Sequence, residues 1–532
     1  MNQNTKIFLV ITILFFSIYT LTSDGHRSTS DEDFAQQLAL RVVLQESDPE
    51  FVPGESDNKF KYPEFVYPHP KGPICNYGIL CYPAGLMHSF TEVPFVFLNH
   101  HLNFLTTESV IFTVEDFPDA HYVWWRNSVE PSHTFMELFY GSFFSSLSVA
   151  TFFLISRSFN YKISTSLSLT FILGLTTIFF AYSQTSFNNA PSVFFVLAGF
   201  LFFKRFIDSQ KISYSIISSI LLVFGFMIRH DVIYVIIPLF FFLTLTVIFQ
   251  KTWTLSGIIQ KIKKVLSFTL PLILGYEFIK IIEGMRYGVE KTIGFAGGDI
   301  GADVSNLATS FGSQGAYGSL GSGVFGILFS PGAGLFVYVP ILLTVFFAFP
   351  DFFRKNKIFT ILLLAIPSIF IIDFGSTNMW QGYTAWSPKY LYVIIPFLLL
   401  PLGASIEKRG KMVLPIICIL GCFGFFFNFV YIIQDVSWFV WGQPGGFEGL
   451  MGLAQGRSCS IYICPEVTWT LQYSPLTTSI YFALNNLHPD LFLLKLFGIQ
   501  YYLLTLVSVL SAEFYLLYRI LKPKSKPSIN IN

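Results

Sequence analysis

Apolar residues in this chain come in runs of about 17–25, the length an α-helix needs to cross the hydrocarbon of a bilayer. Such runs lie near 7–22, 135–156, 163–183, 190–207, 212–228, 232–250, 265–283, 324–349, 357–373, 388–404, 412–434 and 499–521. The pattern predicts an all-α polytopic membrane protein with about 12 transmembrane helices (11–13). Two long segments, 23–134 and 435–498, interrupt the spans. The first run follows Lys6 and ends in Thr20-Leu21-Thr22-Ser23, a poor match to a small-x-small cleavage site. It is therefore expected to stay as the first helix and not to be removed as a signal peptide.

The distribution of cations orients these spans. Lys6; Arg157 and Lys162; Lys204, Arg205 and Lys211; Lys251, Lys261, Lys263 and Lys264; Arg354, Lys355 and Lys357; Lys408, Arg409 and Lys411; and Lys522, Lys524 and Lys526 all fall on one side of the predicted topology. Basic connections of this kind stay in the cytoplasm. The expected protein is thus a multi-pass protein of the cell (inner or plasma) membrane with both termini cytoplasmic. The two long segments, and the short connections at 182–189, 229–231, 287–323 and 374–387, fall outside. With 53% hydrophobic and 12% charged residues the chain carries about half the charge of a soluble domain. A net charge of +1 gives no electrostatic case for binding nucleic acid.

Candidate chemistry collects on the extracytoplasmic side. Just beyond the first span stand Ser30-Asp31-Glu32-Asp33, three consecutive carboxylates. Ser30 followed by Asp33 also fits a helix N-terminal capping arrangement, so Asp33 can be read as a cap. Cys75, Cys81, Cys459 and Cys464 lie in the two long outer segments and read as disulfides. Cys418 and Cys422 fall inside a span and read as core residues. Arg229-His230-Asp231 separates two apolar runs, either as a plain hairpin or as an anion-binding arginine, since ionisable groups at membrane depth mark ligand pathways. Trp380-Gln381-Gly382-Tyr383-Thr384-Ala385-Trp386-Ser387-Pro388-Lys389-Tyr390 combines aromatic faces and polar tips, as sugar sites do, although an aromatic belt would also use Trp and Lys. Ser330-Pro331-Gly332-Ala333-Gly334 breaks the eighth run near its outer end. The Gly-rich stretch 294–323 has no phosphate-binding P-loop signature and reads as a mobile outer loop. His26, His100 and His101 are loop histidines.

The order of these segments is informative. An acidic motif after the first helix is followed by Gly174-Leu175-Thr176-Thr177 and Ala181-Tyr182-Ser183-Gln184-Thr185-Ser186-Phe187. Next come Arg229-His230-Asp231, then Leu328-Phe329-Ser330-Pro331-Gly332-Ala333-Gly334, then Trp386-Ser387-Pro388-Lys389-Tyr390-Leu391. This order resembles the GT-C superfamily of polytopic glycosyltransferases, and within it the branch of the protein O-mannosyltransferases and the aminoarabinose transferase. The resemblance covers about residues 1–405. Relatives show Gly-Pro-Arg-Tyr-Leu where this chain has Ser387-Pro388-Lys389-Tyr390-Leu391, and Lys keeps the charge without the bidentate fork. Relatives carry a carboxylate where this chain has Asn188-Asn189-Ala190-Pro191.

The resemblance implies a glycosyltransferase that moves a sugar, with inversion, from a polyprenyl-phosphate donor to an extracytoplasmic hydroxyl on a glycolipid, polysaccharide or protein. Asp31 and Glu32 are the expected catalytic acids. Arg229, His230, Lys389, Tyr182, Asn188, Trp386 and His26 are expected to bind substrate. Asp31 and Asp33 suit a divalent cation, Mg2+ or Mn2+. A catalytic module is expected over 1–434, an extracytoplasmic loop with a disulfide over 435–498, and a last helix with a basic tail over 499–532. A transporter, an acyltransferase or a glycan polymerase are the alternatives. A transporter would more often show internal repeats and paired broken helices near the midplane.

Overall fold

A computed structural model describes residues 2–25, 86–102, 134–249, 254–287, 320–377, 388–434, 468–485 and 489–522, with 35, 36, 39, 42, 43, 380 and 386 as isolated positions. Among the described residues every regular element is helical. The α-helices are α1 (Gln3–Leu21), α2 (Leu86–Leu102), α3 (Thr134–Ser158), α4 (Ile163–Thr176), α5 (Ile178–Tyr182), α6 (Asn189–Ser209), α7 (Ile212–Ile228), α8 (Ile233–Ile248), α9 (Leu255–Tyr287), α10 (Leu320–Phe329), α11 (Leu335–Tyr338), α12 (Val345–Lys355), α13 (Lys357–Ser376), α14 (Ile395–Leu399), α15 (Leu402–Ile432), α16 (Pro475–Asn485) and α17 (Phe492–Leu521). Short 3-10 turns run over His230–Val232, Pro340–Thr344 and Lys389–Ile394.

All the apolar runs recur as helical segments. Among the described residues eight helices are long and apolar enough to cross a membrane, and four shorter apolar helices of 10–17 residues occupy the other positions. The protein is an integral, multi-pass, all-α membrane protein. Local chemistry explains where runs break. After α4 the backbone of Thr177 turns extended (φ −122°, ψ 172°), and its hydroxyl both donates to Leu173 O at 2.6 Å and accepts from Phe179 N at 3.2 Å. The eighth run is interrupted at 330–334, as its Pro and Gly predict, with Ser330 Oγ accepting from Ala333 N at 3.1 Å. The tenth run differs from expectation. Residues 389–394 form a 3-10 turn, α14 is short, and α15 continues through a kink at Arg409 (φ −132°, ψ 28°). Helix α2 lies inside the first long loop, where its histidines, Glu92 and Pro94 break up the apolar run.

The most apolar windows of α3 and α6 are 78% and 72% buried, so these two helices form the centre, whereas those of α9 and α17 are 11% and 6% buried and face lipid. Helix α3 packs against α1 and α6, and α6 against α7. Cys418 and Cys422 lie on α15 with their side chains exposed on its lipid-facing surface. They are not core residues, because α15 turns Gly421 and Gly424 towards α4 instead. The cysteines at 75, 81, 459 and 464 lie outside the described residues.

The two ends of the bundle differ in chemistry. At one end Asp351 of α12 binds Lys408 Nζ and Arg409 Nη2, each at 2.7 Å, and Ser405 Oγ at 2.9 Å. Nearby, Glu407 accepts from Lys162 N at 2.7 Å and lies 3.7 Å from Lys355 Nζ. Three of the basic connections of the sequence, at 157–162, 354–357 and 408–411, therefore meet in one ionic layer. The opposite end carries the site.

Candidate active site

The polar end is built around the connection between α5 and α6. Backbone and helix approach each other closely there. A Cβ on Gly141 of α3 would stand 2.2 Å from Thr185 O, so only glycine allows the connection to lie against α3. Gln184 is buried and donates to Thr22 O at the end of α1 and, at 3.4 Å, to Ile432 O at the end of α15. Ser186 O lies 3.0 Å from His88 Nε2 of α2, and Ser186 Oγ accepts from Gln36 Nε2 at 3.1 Å. Gln36 also donates to the buried carboxylate of Glu137 at the start of α3. His88 in turn contacts Glu92 Oε1 at 3.2 Å. Four separate parts of the chain thus fix one short connection.

Arg229 ends α7 and is 7% exposed, beside Asp231 at 2%. The guanidinium Nε lies 3.1 and 3.2 Å from the two carboxylate oxygens of Asp231, and Nη2 lies 2.5 Å from Oδ2. Nη1 donates to Asn188 Oδ1 at 3.1 Å and also to Asn189 Oδ1. A buried arginine needs such a partner, since an isolated ion loses its hydration without return. This pair is locally neutral. Opposite it, Lys389 opens the 3-10 turn at 389–394, and its Nζ lies 4.1 Å from the ring centroid of Phe187. That distance is a cation–π contact. Phe187 and Asn188 are neighbours, so Arg229 and Lys389 flank the same connection.

Trp386 and Tyr182 hold this arrangement together. The Tyr182 hydroxyl donates to Trp386 O. The Trp386 indole donates to Asn428 Oδ1 at 3.2 Å, and Asn428 Nδ2 donates to Gly424 O at 2.7 Å. The indole sits between Tyr338 (centroids 4.8 Å, 85°) and Tyr431 (4.4 Å, 27°) and is 4% exposed. The polar groups of Tyr182 and Trp386 are therefore turned into the frame. His230 is half-buried, its ring 5.4 Å from that of Phe226.

Of the residues expected from the sequence, Tyr182, Asn188, Arg229, Trp386 and Lys389 come together here, with His230 at the edge. His26, Asp31, Glu32 and Asp33 lie outside the described residues. Gln36, three residues beyond Asp33, is described and reaches the Ser186 connection. Asp231, Asn189, Gln36, His88 and Glu137 were not singled out as site residues. A polar residue beside the arginine, and a Glu opening an apolar helix, were the available signals. Among the described residues no three metal-ligating groups converge.

The chain is thus an integral membrane protein with a buried, hydrogen-bonded ion pair and a second cation at one end of its helix bundle. Residues 138–273 match the family described as dolichyl-phosphate-mannose-protein mannosyltransferase, a glycosyltransferase family of the GT-C type. The match covers about a quarter of the chain, and that segment carries Tyr182, Asn188, Asn189, Arg229 and Asp231. No curated protein matches the chain. Two solved oligosaccharyltransferase structures from Archaeoglobus fulgidus show a likeness. One, of AglB in complex with an inhibitory peptide and a dolichol-phosphate, has a TM-score of 0.45 and 8% identity, covering 85% of this chain and 58% of that one. The other, in the apo form, has a TM-score of 0.45 and 10% identity, covering 88% and 60%. The chain thus spans about three fifths of the length of either.

Proposed function

We propose that the protein is a membrane glycosyltransferase that takes a sugar from a polyprenyl-phosphate donor and gives it, with inversion, to a hydroxyl outside the cytoplasm. The observation that carries this reading is the coincidence of the family match over 138–273 with the segment that brings Arg229 and Lys389 to one connection. Cations gathered in a partly dehydrated site suit a reaction whose leaving group is a phosphate, because charge grows on it as the glycosidic bond breaks. A donor anchored in lipid also explains a site at the end of a membrane bundle. The ionic layer at the opposite end joins three of the basic connections, and such connections stay in the cytoplasm. The site then faces outward.

Asp31 or Glu32 is the proposed base that takes the proton of the attacking hydroxyl, and His26 is a proposed substrate-binding residue. Lys389 and Arg229 hold the phosphate, and Asp231 with the two asparagines orients Arg229. Tyr182 and Trp386 fix the turn that presents Lys389. A divalent cation on Asp31 and Asp33 would add positive charge next to the phosphate. The test is transfer of labelled sugar from a polyprenyl-phosphate donor by membranes carrying the wild type, Asp31→Asn or Glu32→Gln. Loss of transfer in one carboxylate variant, with the protein still inserted, supports the assignment. Full transfer in both removes the base from 31 and 32.

A further inference from the structure

The start of α9 reaches beyond its neighbours. Phe268 of α9 meets Phe203 of α6 with ring centroids 5.5 Å apart, and Gly275 abuts Val223 of α7. Helices α6 and α7 are antiparallel, with Gly199 beside Leu222 and Gly225 beside Phe195. Both contacts of α9 therefore give one register: α9 runs parallel to α7, and Lys264 is level with Ile212, the first residue of α7. At 1.5 Å per residue, 255–263 extend about 13 Å past that level. Helix α8 ends beside Lys261, whose ammonium donates to Ile248 O at 3.4 Å. The overhang lies at the end of the bundle that holds the ionic layer. Lys204 of α6 stands over Phe159 there, and that ring packs on Phe352, the neighbour of Asp351.

The overhang is amphipathic. At 100° per residue, Leu255, Ile258, Ile259, Ile262 and Leu266 fall within one arc of about 100°, and all five are exposed. Ser256, Gly257, Gln260, Lys261, Lys263 and Lys264 fall on the other side. Lys261 is turned inward to α8, whereas Lys263 is exposed. An apolar stripe that clears the protein needs acyl chains on one side, with headgroups or water on the other. The stretch 254–276 carries three lysines and no Asp or Glu. The described carboxylates of this end are engaged elsewhere: Asp208 with Lys204 at 2.5 and 2.7 Å, Asp351 with Lys408 and Arg409, and Glu407 with the Lys162 amide and Lys355. An anionic membrane surface complements such a charge.

We propose that residues 254–264 are an interfacial foot that binds anionic phospholipid. The stripe from Leu255 to Ile262 enters the acyl chains just below the glycerol level, and Lys263 and Lys264 meet the headgroup phosphates. A neutral lipid satisfies the stripe as well as an anionic one does, so the lysines carry the discrimination. The foot lies at the opposite end from Arg229 and does not depend on the donor reading.

The test uses the purified full chain in nanodiscs of mixed phosphatidylglycerol and phosphatidylcholine. Each lipid in turn carries a photoreactive group close to its glycerol, and mass spectrometry maps the label along the chain. Wild-type 254–264 is expected to take more label from phosphatidylglycerol by about fivefold or more, the factor that one lysine near an anionic surface supplies. Lys263→Gln with Lys264→Gln should abolish that preference and keep the label from phosphatidylcholine. Leu255→Asn with Ile262→Asn should lower the label from both lipids. Unchanged label on the lipid-facing α17 reports that each variant is still folded. Lys411→Gln with Lys522→Gln removes two charges at the same end and should leave the preference of the foot intact. An equal loss in that pair would mean diffuse surface charge and overturn the site. A foot labelled by neither lipid, or label unchanged in the Leu255 and Ile262 variant, would overturn its place at the interface.

Discussion

The Arg229–Asp231 pair allows stability and chemistry to be separated. Its contacts at 2.5–3.2 Å, with both residues under a tenth exposed, place it among buried ion pairs. At about 3 Å and an effective dielectric of ~20, the Coulomb attraction is roughly 5 kcal/mol. The two desolvation costs offset much of this. Removing one partner leaves the other charge buried and alone, which costs about 3–5 kcal/mol. Arg229→Leu is therefore expected to lower unfolding free energy by about 3–5 kcal/mol, and Asp231→Leu by a similar amount. The double replacement should recover most of that loss, with a coupling of at least about 2 kcal/mol. Sugar transfer should not recover, because the cation is gone. Reversible unfolding in mixed micelles gives the first quantity and donor turnover the second. Additive stability losses would refute the pair. A double variant that regains turnover would remove Arg229 from the chemistry.

Other outcomes follow from neighbouring contacts. Gly141→Ala should displace the α5–α6 connection, since its Cβ would stand 2.2 Å from Thr185 O, and lower turnover with the helices still inserted. Gln36→Leu removes the amide that bonds both the buried Glu137 carboxylate and Ser186 Oγ and should cost about 1–3 kcal/mol in the same unfolding assay. Lys389→Ala should lower kcat/KM for the donor by about a hundredfold, with Lys389→Arg recovering part of it. At the opposite end, burial pushes the Asp351 carboxyl up, but hydrogen bonds from Arg409, Lys408 and Ser405 outweigh it and hold the group well below its usual value of 3.8. A depressed folded pKa means stability that is present above about pH 4 and is lost as pH falls below it. Asp351→Asn should flatten that acid limb and leave the donor preference of the site unchanged.

The sequence showed the helices because lipid imposes one rule along the whole chain: about twenty apolar residues per crossing, with cations at one end. It also showed Arg229 and Lys389, since a charge beside an apolar run stands out. The break at 389–394 was not legible, because the turn leading into it depends on a partner far along the chain. Tyr182 meets Trp386 across 204 positions. Asn189 looked like a mere neighbour of Asn188, and only the fold shows its Oδ1 accepting from Arg229. Cys418 and Cys422 were misread because an apolar run does not say which face meets lipid.

The central claim is the nature of the donor. Membranes carrying the protein would be given labelled sugar either on polyprenyl phosphate or on a nucleotide, with polyprenyl-phosphate charging blocked. Transfer from the lipid donor with release of polyprenyl phosphate, and none from the nucleotide, is the expected result. Transfer from the nucleotide sugar alone, with the lipid donor untouched, would contradict it.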